Sequence, residues 1–192
     1  MKNTKINETK DRLLEKGIFP IRDITTASMR ELTDWILTNR PDRKEFTILI
    51  SSGGGIATPV ISFASNISIL SKDVVIHGVA CNICNSAAIA LLQCCHKRSA
   101  IKHTSFMIHH LQSSITIKHY FHEKSKIEEM LEYNKNIEDE IVDLQCNRTG
   151  ISRSDWMKLA DAGERDPATL IFTKQALKLG LIDEILDSYP CL

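Results

Sequence analysis

Apolar residues along this chain fall into two kinds of block. Short, nearly continuous blocks rich in β-branched residues alternate with longer blocks whose apolar positions recur every three or four residues. The first kind suits a strand buried on both faces, and the second builds one face of a helix. Residues 1–16 are polar and charged, and read as a lead-in helix ended by Gly17. Ile18-Phe19-Pro20-Ile21 predicts a short strand at a sheet edge, because Pro20 has no N–H to give to a ladder. Thr25 or Thr26 can cap a helix running to about Asn39, with Met29, Leu32, Trp35 and Ile36 on one face. A turn at Pro41-Asp42-Arg43 leads to a buried strand over Phe46 to Ser51.

Gly53-Gly54-Gly55 comes directly after that strand, then a helix from about Thr58 to Leu70. Val74 to Ala80 predicts a second buried strand, Ser86 to Cys95 a helix of small and aliphatic residues, and Ser105 to His109 a third strand. A long amphipathic helix is expected over roughly Tyr120 to Cys146, with Ile127, Met130, Leu131, Ile137, Ile141 and Leu144 on its apolar side. Ser152 to Leu159 and Thr173 to Leu179 read as short helices, the second closed by Gly180. Leu181 to Ile185 reads as a terminal strand. Strand–helix alternation of this kind predicts an α/β fold with parallel strands and right-handed crossovers. There is no internal repeat, low-complexity tract or linker, so residues 1–192 are expected to form one domain.

Composition narrows the function classes. The 192 residues carry 24 basic and 24 acidic side chains, a formal charge of zero. Such balance supplies no general attraction to nucleic acid or to anionic lipid, so neither is an expected partner. The uncharged stretches Phe46 to Ser71 and Val74 to Cys95 are broken by glycines, a proline, serines, asparagines and a histidine. They read as buried core and not as membrane spans. Six cysteines and a polar N-terminus without an apolar signal region fit free thiols in a cytoplasmic protein.

Candidate chemistry clusters after the buried strands. Ser51-Ser52-Gly53-Gly54-Gly55 can bring backbone N–H groups to a phosphate or an oxyanion, or can simply be a tight turn. No Gly-Lys-Ser/Thr comes after it, which removes the P-loop reading. Ser86 opens a helix at Asn85-Ser86-Ala87-Ala88, where a helix N-terminus favours developing negative charge, although an N-cap role alone explains a serine there. His109 and His110 end a strand, so at most one is expected to face any given site, where it could act as a general base. Glu164-Arg165-Asp166 can supply an acid that orients an imidazole, with Asp161 a nearby competitor. Cys81-x-x-Cys84 with Cys94-Cys95-His96 is a weak candidate for zinc, and buried thiols are the expected reading.

Taken in order, these pieces resemble the proteolytic subunit of the Clp protease (ClpP) family and its phage-type relatives, within the ClpP/crotonase superfamily. The carrying residues are Ile48-Leu49-Ile50-Ser51-Ser52-Gly53-Gly54-Gly55, Ser86-Ala87-Ala88-Ile89-Ala90-Leu91-Leu92, Met107-Ile108-His109, Glu164-Arg165-Asp166 and Gly180-Leu181-Ile182-Asp183. The match runs from about Phe19 to Leu186. The resemblance implies a spiral of ββα units with a protruding handle helix, the handle covering about residues 111–147. It implies Ser86 as nucleophile, His109 as general base and Asp166 as the residue orienting His109. It implies an oxyanion hole from the N–H groups of Gly54 and Ala87, with no metal or cofactor. Peptide bonds of unfolded proteins or peptides would be hydrolysed through an acyl-enzyme on Ser86.

The resemblance also implies a homo-oligomer of stacked rings, a tetradecamer, in which Arg165 makes ring-to-ring ion pairs. An ATP-driven unfoldase ring would be the partner, and only that partner would use ATP. Four positions differ from the family pattern: Ser52 stands where proline is usual, Gly55 where a residue normally has a side chain, Ile83 where a polar residue is frequent, and Asn85 where a small apolar residue is common. A catalytically inactive structural or regulatory subunit is the alternative. A crotonase-type acyl-CoA enzyme would need acidic side chains on the helix after Ser86, which has none. A Ser-Lys peptidase would have no use for His109.

Overall fold

The computed structural model describes residues 2–70, 72–112, 124–165 and 170–189. Its strands in chain order are β1 (Ile18–Ile21), β2 (Glu45–Ser52), β3 (Val75–Asn85), β4 (Lys97–Ile101), β5 (Ser105–Met107), β6 (Ile171–Phe172) and β7 (Glu184–Leu186). Its helices are α1 (Lys2–Glu15), α2 (Thr26–Asn39), α3 (Thr58–Leu70), α4 (Ala87–Gln93), α5 (Lys124–Thr149), α6 (Arg153–Arg165) and α7 (Thr173–Lys178). The fold is mixed α/β, as expected.

One sheet runs β1-β2-β3-β4-β7 with every neighbour parallel. β3 is long enough to hold two partners on its second edge. His77 to Ala80 pair with β4, and Ile83 to Asn85 pair with β5. β5 in turn pairs antiparallel with β6, the one antiparallel pair among the described residues. Between those two stretches the β2–β3 register slips, from Ile50 opposite Ala80 to Ser52 opposite Cys84. Asn82 sits in the slip with φ of 60°. Such a bulge bends a strand and re-aims the residues beyond it. Here it turns the end of β3 towards the glycine loop.

The core lies between the sheet and its helices. Phe19, Phe46, Phe63 and Phe106 are fully buried, and each such ring contributes roughly 2 kcal/mol of burial free energy. Trp35 of α2 packs at 5.5 Å from the Phe19 ring and edge-on at 5.2 Å from Phe46. Thr25 caps α2 through a reciprocal pair with Ser28. α7 ends in a Schellman arrangement, with Gly180 N–H donating to Leu177 O and Leu181 N–H to Ala176 O.

Several expectations need correction. β3 continues five residues beyond Ala80, because the bulge lets the chain resume pairing with β5 in place of β4. β4 was not predicted; its charged start, Lys97-Arg98, hides a strand in which Arg98 is buried against Asp183. The third strand stops at Met107, short of the histidines. α6 runs to Arg165, well beyond Leu159. The expected helix start at Tyr120 lies outside the described residues. Within α5, Val142 is buried while Leu131 is exposed, so the predicted apolar stripe is only partly spent on the core. Among the described residues, no helix is long and apolar enough to cross a membrane.

Candidate active site

Ser86 stands where β3 ends and α4 begins, with φ 54° and ψ −126°. A side chain rarely adopts such a backbone, and holding it costs about 1–3 kcal/mol. The neighbours over-determine it. Ser86 N–H donates to Met107 O of β5 at 2.9 Å, and Ser86 O accepts from Ile89 N–H at 2.9 Å. Its side chain makes no capping hydrogen bond to α4, so the simple N-cap explanation does not hold. A hydroxyl on so sharp a strand-to-helix turn projects from the sheet edge, as a nucleophile must.

The glycine loop closes on it. Gly54 has φ of +108°, and a Cβ there would lie 2.8 Å from Ser86 Cβ. Only glycine allows that backbone and that approach together. Gly54 O accepts from Ile24 N–H, and Ile56 N–H donates to Ile24 O, which ties the loop to the segment after β1. Gly54 N–H donates to Ser52 Oγ at 3.1 Å. Ala87 comes after Ser86 as the first residue of α4, and first-turn N–H groups have no partner within their own helix.

A cleft of about 320 Å³ opens beside these residues. Gly53, Gly55, Ser86 and Ala87 line it, together with His109 and His110 and with Trp156 and Met157 of α6. Both histidines border the cleft, contrary to the expectation that only one would. The strand has ended two residues earlier, so the alternation of a strand no longer separates them.

Their hydrogen bonds tell the two apart. His109 Nδ1 lies 2.6 Å from His110 O. A carbonyl only accepts, so Nδ1 is the donor in this contact, and Nε2 is the nitrogen left for a hydroxyl. His110 is held at both nitrogens, Nδ1 at 3.0 Å from Glu138 Oε1 and Nε2 at 2.9 Å from Asp161 Oδ1. Both His110 nitrogens are thus taken up by carboxylates, and neither is turned to a hydroxyl. Asp161, a competitor for the acidic role beside His109, is on His110 instead. Glu138 was not singled out from sequence, nor was its contact with His110, which joins residues 28 positions apart.

α6 reaches the same segment. A Cβ on Gly163 would overlap Ile108 O and come within 3.9 Å of His109 Cβ. The C-terminal end of α6 therefore lies against the backbone that carries His109. Asp166 lies just past that end, outside the described residues. Among the described residues, no hydrogen bond joins Ser86 Oγ to His109. Asn85 Oδ1 is buried without a partner there.

The most deeply buried thiols are poor nucleophiles. Burial pushes the Cys84 thiol far up and the Cys95 thiol well above its ordinary value, so neither forms a thiolate near neutrality. Cys81, Cys84, Cys94 and Cys95 are free thiols. Among the described residues, no group of three or more His, Cys, Asp and Glu side chains is placed to hold a metal ion. A serine–histidine contact is made elsewhere, Ser99 Oγ with His77 Nε2 at 2.6 Å, but it involves a fully buried hydroxyl already donated to Glu184.

In comparison with protein families the chain matches the family model described as Clp protease, over residues 1–189. No individual curated protein matches the chain. With a mixed α/β fold and a family match across almost its whole length, the chain belongs to the Clp protease family.

Proposed function

We propose that the chain is a serine endopeptidase that hydrolyses peptide bonds of unfolded proteins or peptides. The observation that carries this reading is the strained Ser86 at the head of α4, facing the glycine loop and sharing a cleft with His109. Ser86 Oγ attacks the scissile carbonyl, and His109 Nε2 takes its proton. The N–H groups of Gly54 and Ala87 hold the oxyanion. Gly54 N–H then exchanges Ser52 Oγ for the charged oxygen, a stronger acceptor. His109 returns the proton to the leaving amine, and water releases the acyl group from Ser86. Asp166 orients His109; the contact of Gly163 with Ile108 supports this, since it brings the end of α6 beside that histidine.

The chemistry needs no metal or cofactor. Family membership supports assembly into stacked rings that enclose the sites, a tetradecamer, with α5 as the handle. Leu131 and Tyr133 on α5 are more than half exposed in the single chain and suit such an interface. An ATP-driven unfoldase ring would deliver folded substrates in the cytoplasm.

The reading is tested by digesting an unfolded protein and a short-peptide mixture with the assembled chain, following products by mass spectrometry. Cleavage that Ser86→Ala and His109→Ala each abolish supports it. A second reading, an inactive subunit working beside active relatives, is favoured by the open Ser86–His109 pair and by the occupied Gly54 N–H. It predicts no cleavage by the homo-oligomer.

A further inference from the structure

Gln93 and Gln145 are both buried, 0% and 5% exposed. Gln93 is bonded at both ends of its amide: Nε2 donates to Leu181 O at 3.0 Å, and Oε1 accepts from Arg98 Nη1 at 2.6 Å. Thr149 Oγ1 donates to the backbone carbonyl of Gln145, but among the described residues the side-chain amide of Gln145 makes no hydrogen bond. Buried amides are nearly always paired. Gln145 lines the cleft beside Ser86, so its donor and acceptor are open to a side chain that enters there.

The helix α5 sets its place in the cleft. Glu138, Ile141, Val142 and Gln145 all line it, at the i, i+3, i+4, i+7 spacing of one helix face. Glu138 marks one end, bonded to His110 and to Leu111 N–H. Gln145 lies about 10 Å further along the helix axis. Just beyond it, Arg148 donates to Gln93 O and Cys95 O, at the end of α4 away from Ser86. Ile89, Ile108 and Trp156 join Ile141 and Val142 in an apolar lining, and among the described residues no lysine or arginine borders it.

A charged side chain at the Gln145 end would meet a neutral amide, which does not offset the cost of its desolvation. A wholly apolar one would cover the amide and leave it unpaired. An aromatic ring that carries a hydroxyl suits both parts of the lining. The ring packs on Trp156 and the aliphatic side chains, and the hydroxyl donates to Gln145 Oε1 or accepts from its Nε2–H.

We propose that Gln145 is a specificity-determining residue: the cleft takes the side chain just before the scissile bond, and Gln145 selects tyrosine there over phenylalanine. The inference rests on the reading of Ser86 as the nucleophile given above.

The test uses the full-length assembled chain and two peptides identical except for tyrosine or phenylalanine just before the cleaved bond. The ratio of their kcat/KM values is read on one sample, so it is independent of how much enzyme is active. Wild type is expected to favour tyrosine by about three- to tenfold, the usual worth of one neutral hydrogen bond. Gln145→Met keeps the shape of the side chain and removes both polar groups. The ratio should fall to one or below, because the phenol is then buried without a partner, while phenylalanine is cleaved at least as well as by wild type. The wild-type ratio is a test by itself should Q145M fail to assemble. Equal cleavage after the two residues, or none after either while Ser86 takes up a fluorophosphonate, overturns the inference and leaves Ser86 as the nucleophile. A tyrosine preference that Q145M retains overturns it as well. A wild type that neither cleaves nor takes up the probe overturns the reading of the site itself, and the inference with it.

Discussion

Gly54 and Ser86 come so close that the hydrogen on one occupies the only space a side chain could use: a Cβ on Gly54 would lie 2.8 Å from Ser86 Cβ and 3.3 Å from its Oγ. The loop after β2 and the turn after β3 are thus built against each other. Neither can be altered without moving the candidate nucleophile.

Gly54→Ala should therefore cost reactivity well beyond its effect on folding. The added methyl meets Ser86, and φ of +108° is strained for alanine. Acylation of Ser86 is expected to slow by on the order of a hundredfold or more, the usual loss for an oxyanion donor. Gly53→Ala is the control. Nothing lies within 4 Å of a Cβ at Gly53, and its melting temperature should match wild type. Parallel melts and labelling rates of the two variants check this.

Gly163→Ala strikes the same site from the other side. Its methyl has no room beside Ile108 O, so either α6 withdraws or the His109 segment shifts. Loss of thermal stability of about 1–3 kcal/mol is expected from overpacking of this kind, together with loss of peptidase activity. Unchanged activity and melting would show that α6 does not bear on His109 in solution.

The Arg98 cluster gives a stability prediction away from the site. Arg98 is buried; it bonds to Asp183 and Gln93 and to the carbonyls of Arg148 and Gly180. Replacing it with methionine leaves several acceptors without a donor and should cost roughly 3–5 kcal/mol, read from chemical denaturation.

Asp183 makes that cluster sensitive to acid. Burial works against its charge, but hydrogen bonds and attraction from Arg98 outweigh it and hold the carboxyl below its ordinary value. A depressed folded-state value means the contribution is present above the unfolded value and is lost as pH falls through the folded one. Wild type should lose stability on acidification below about pH 4, and Asp183→Asn should lose less over that window. Asp183 is partly exposed, so the effect is screened and shrinks with salt.

Much of this architecture is legible along the chain, for reasons that individual residues explain. α3 falls on Thr58–Leu70 as expected because its apolar period and flanking glycines and charges agree. α2 is announced by Thr25, and the closing turn of α7 by Gly180. The motif segments point to the family, and with it to the fold. The features that escaped depend on distant partners. β4 opens with Lys97-Arg98, which reads as surface until Asp183, 85 residues away, is brought against it. The bulge at Asn82 leaves no local mark and lengthens β3. His110 reads as a spare neighbour of His109, since only the fold delivers Glu138 and Asp161 to it.

An activated Ser86 should react with a serine-directed electrophile. Intact-mass analysis after fluorophosphonate treatment, comparing the assembled wild type with Ser86→Ala, is the decisive test. A single adduct per chain is expected, one that maps to Ser86 and disappears in the variant. An assembled oligomer that takes up no probe, or takes it up equally in Ser86→Ala, contradicts it.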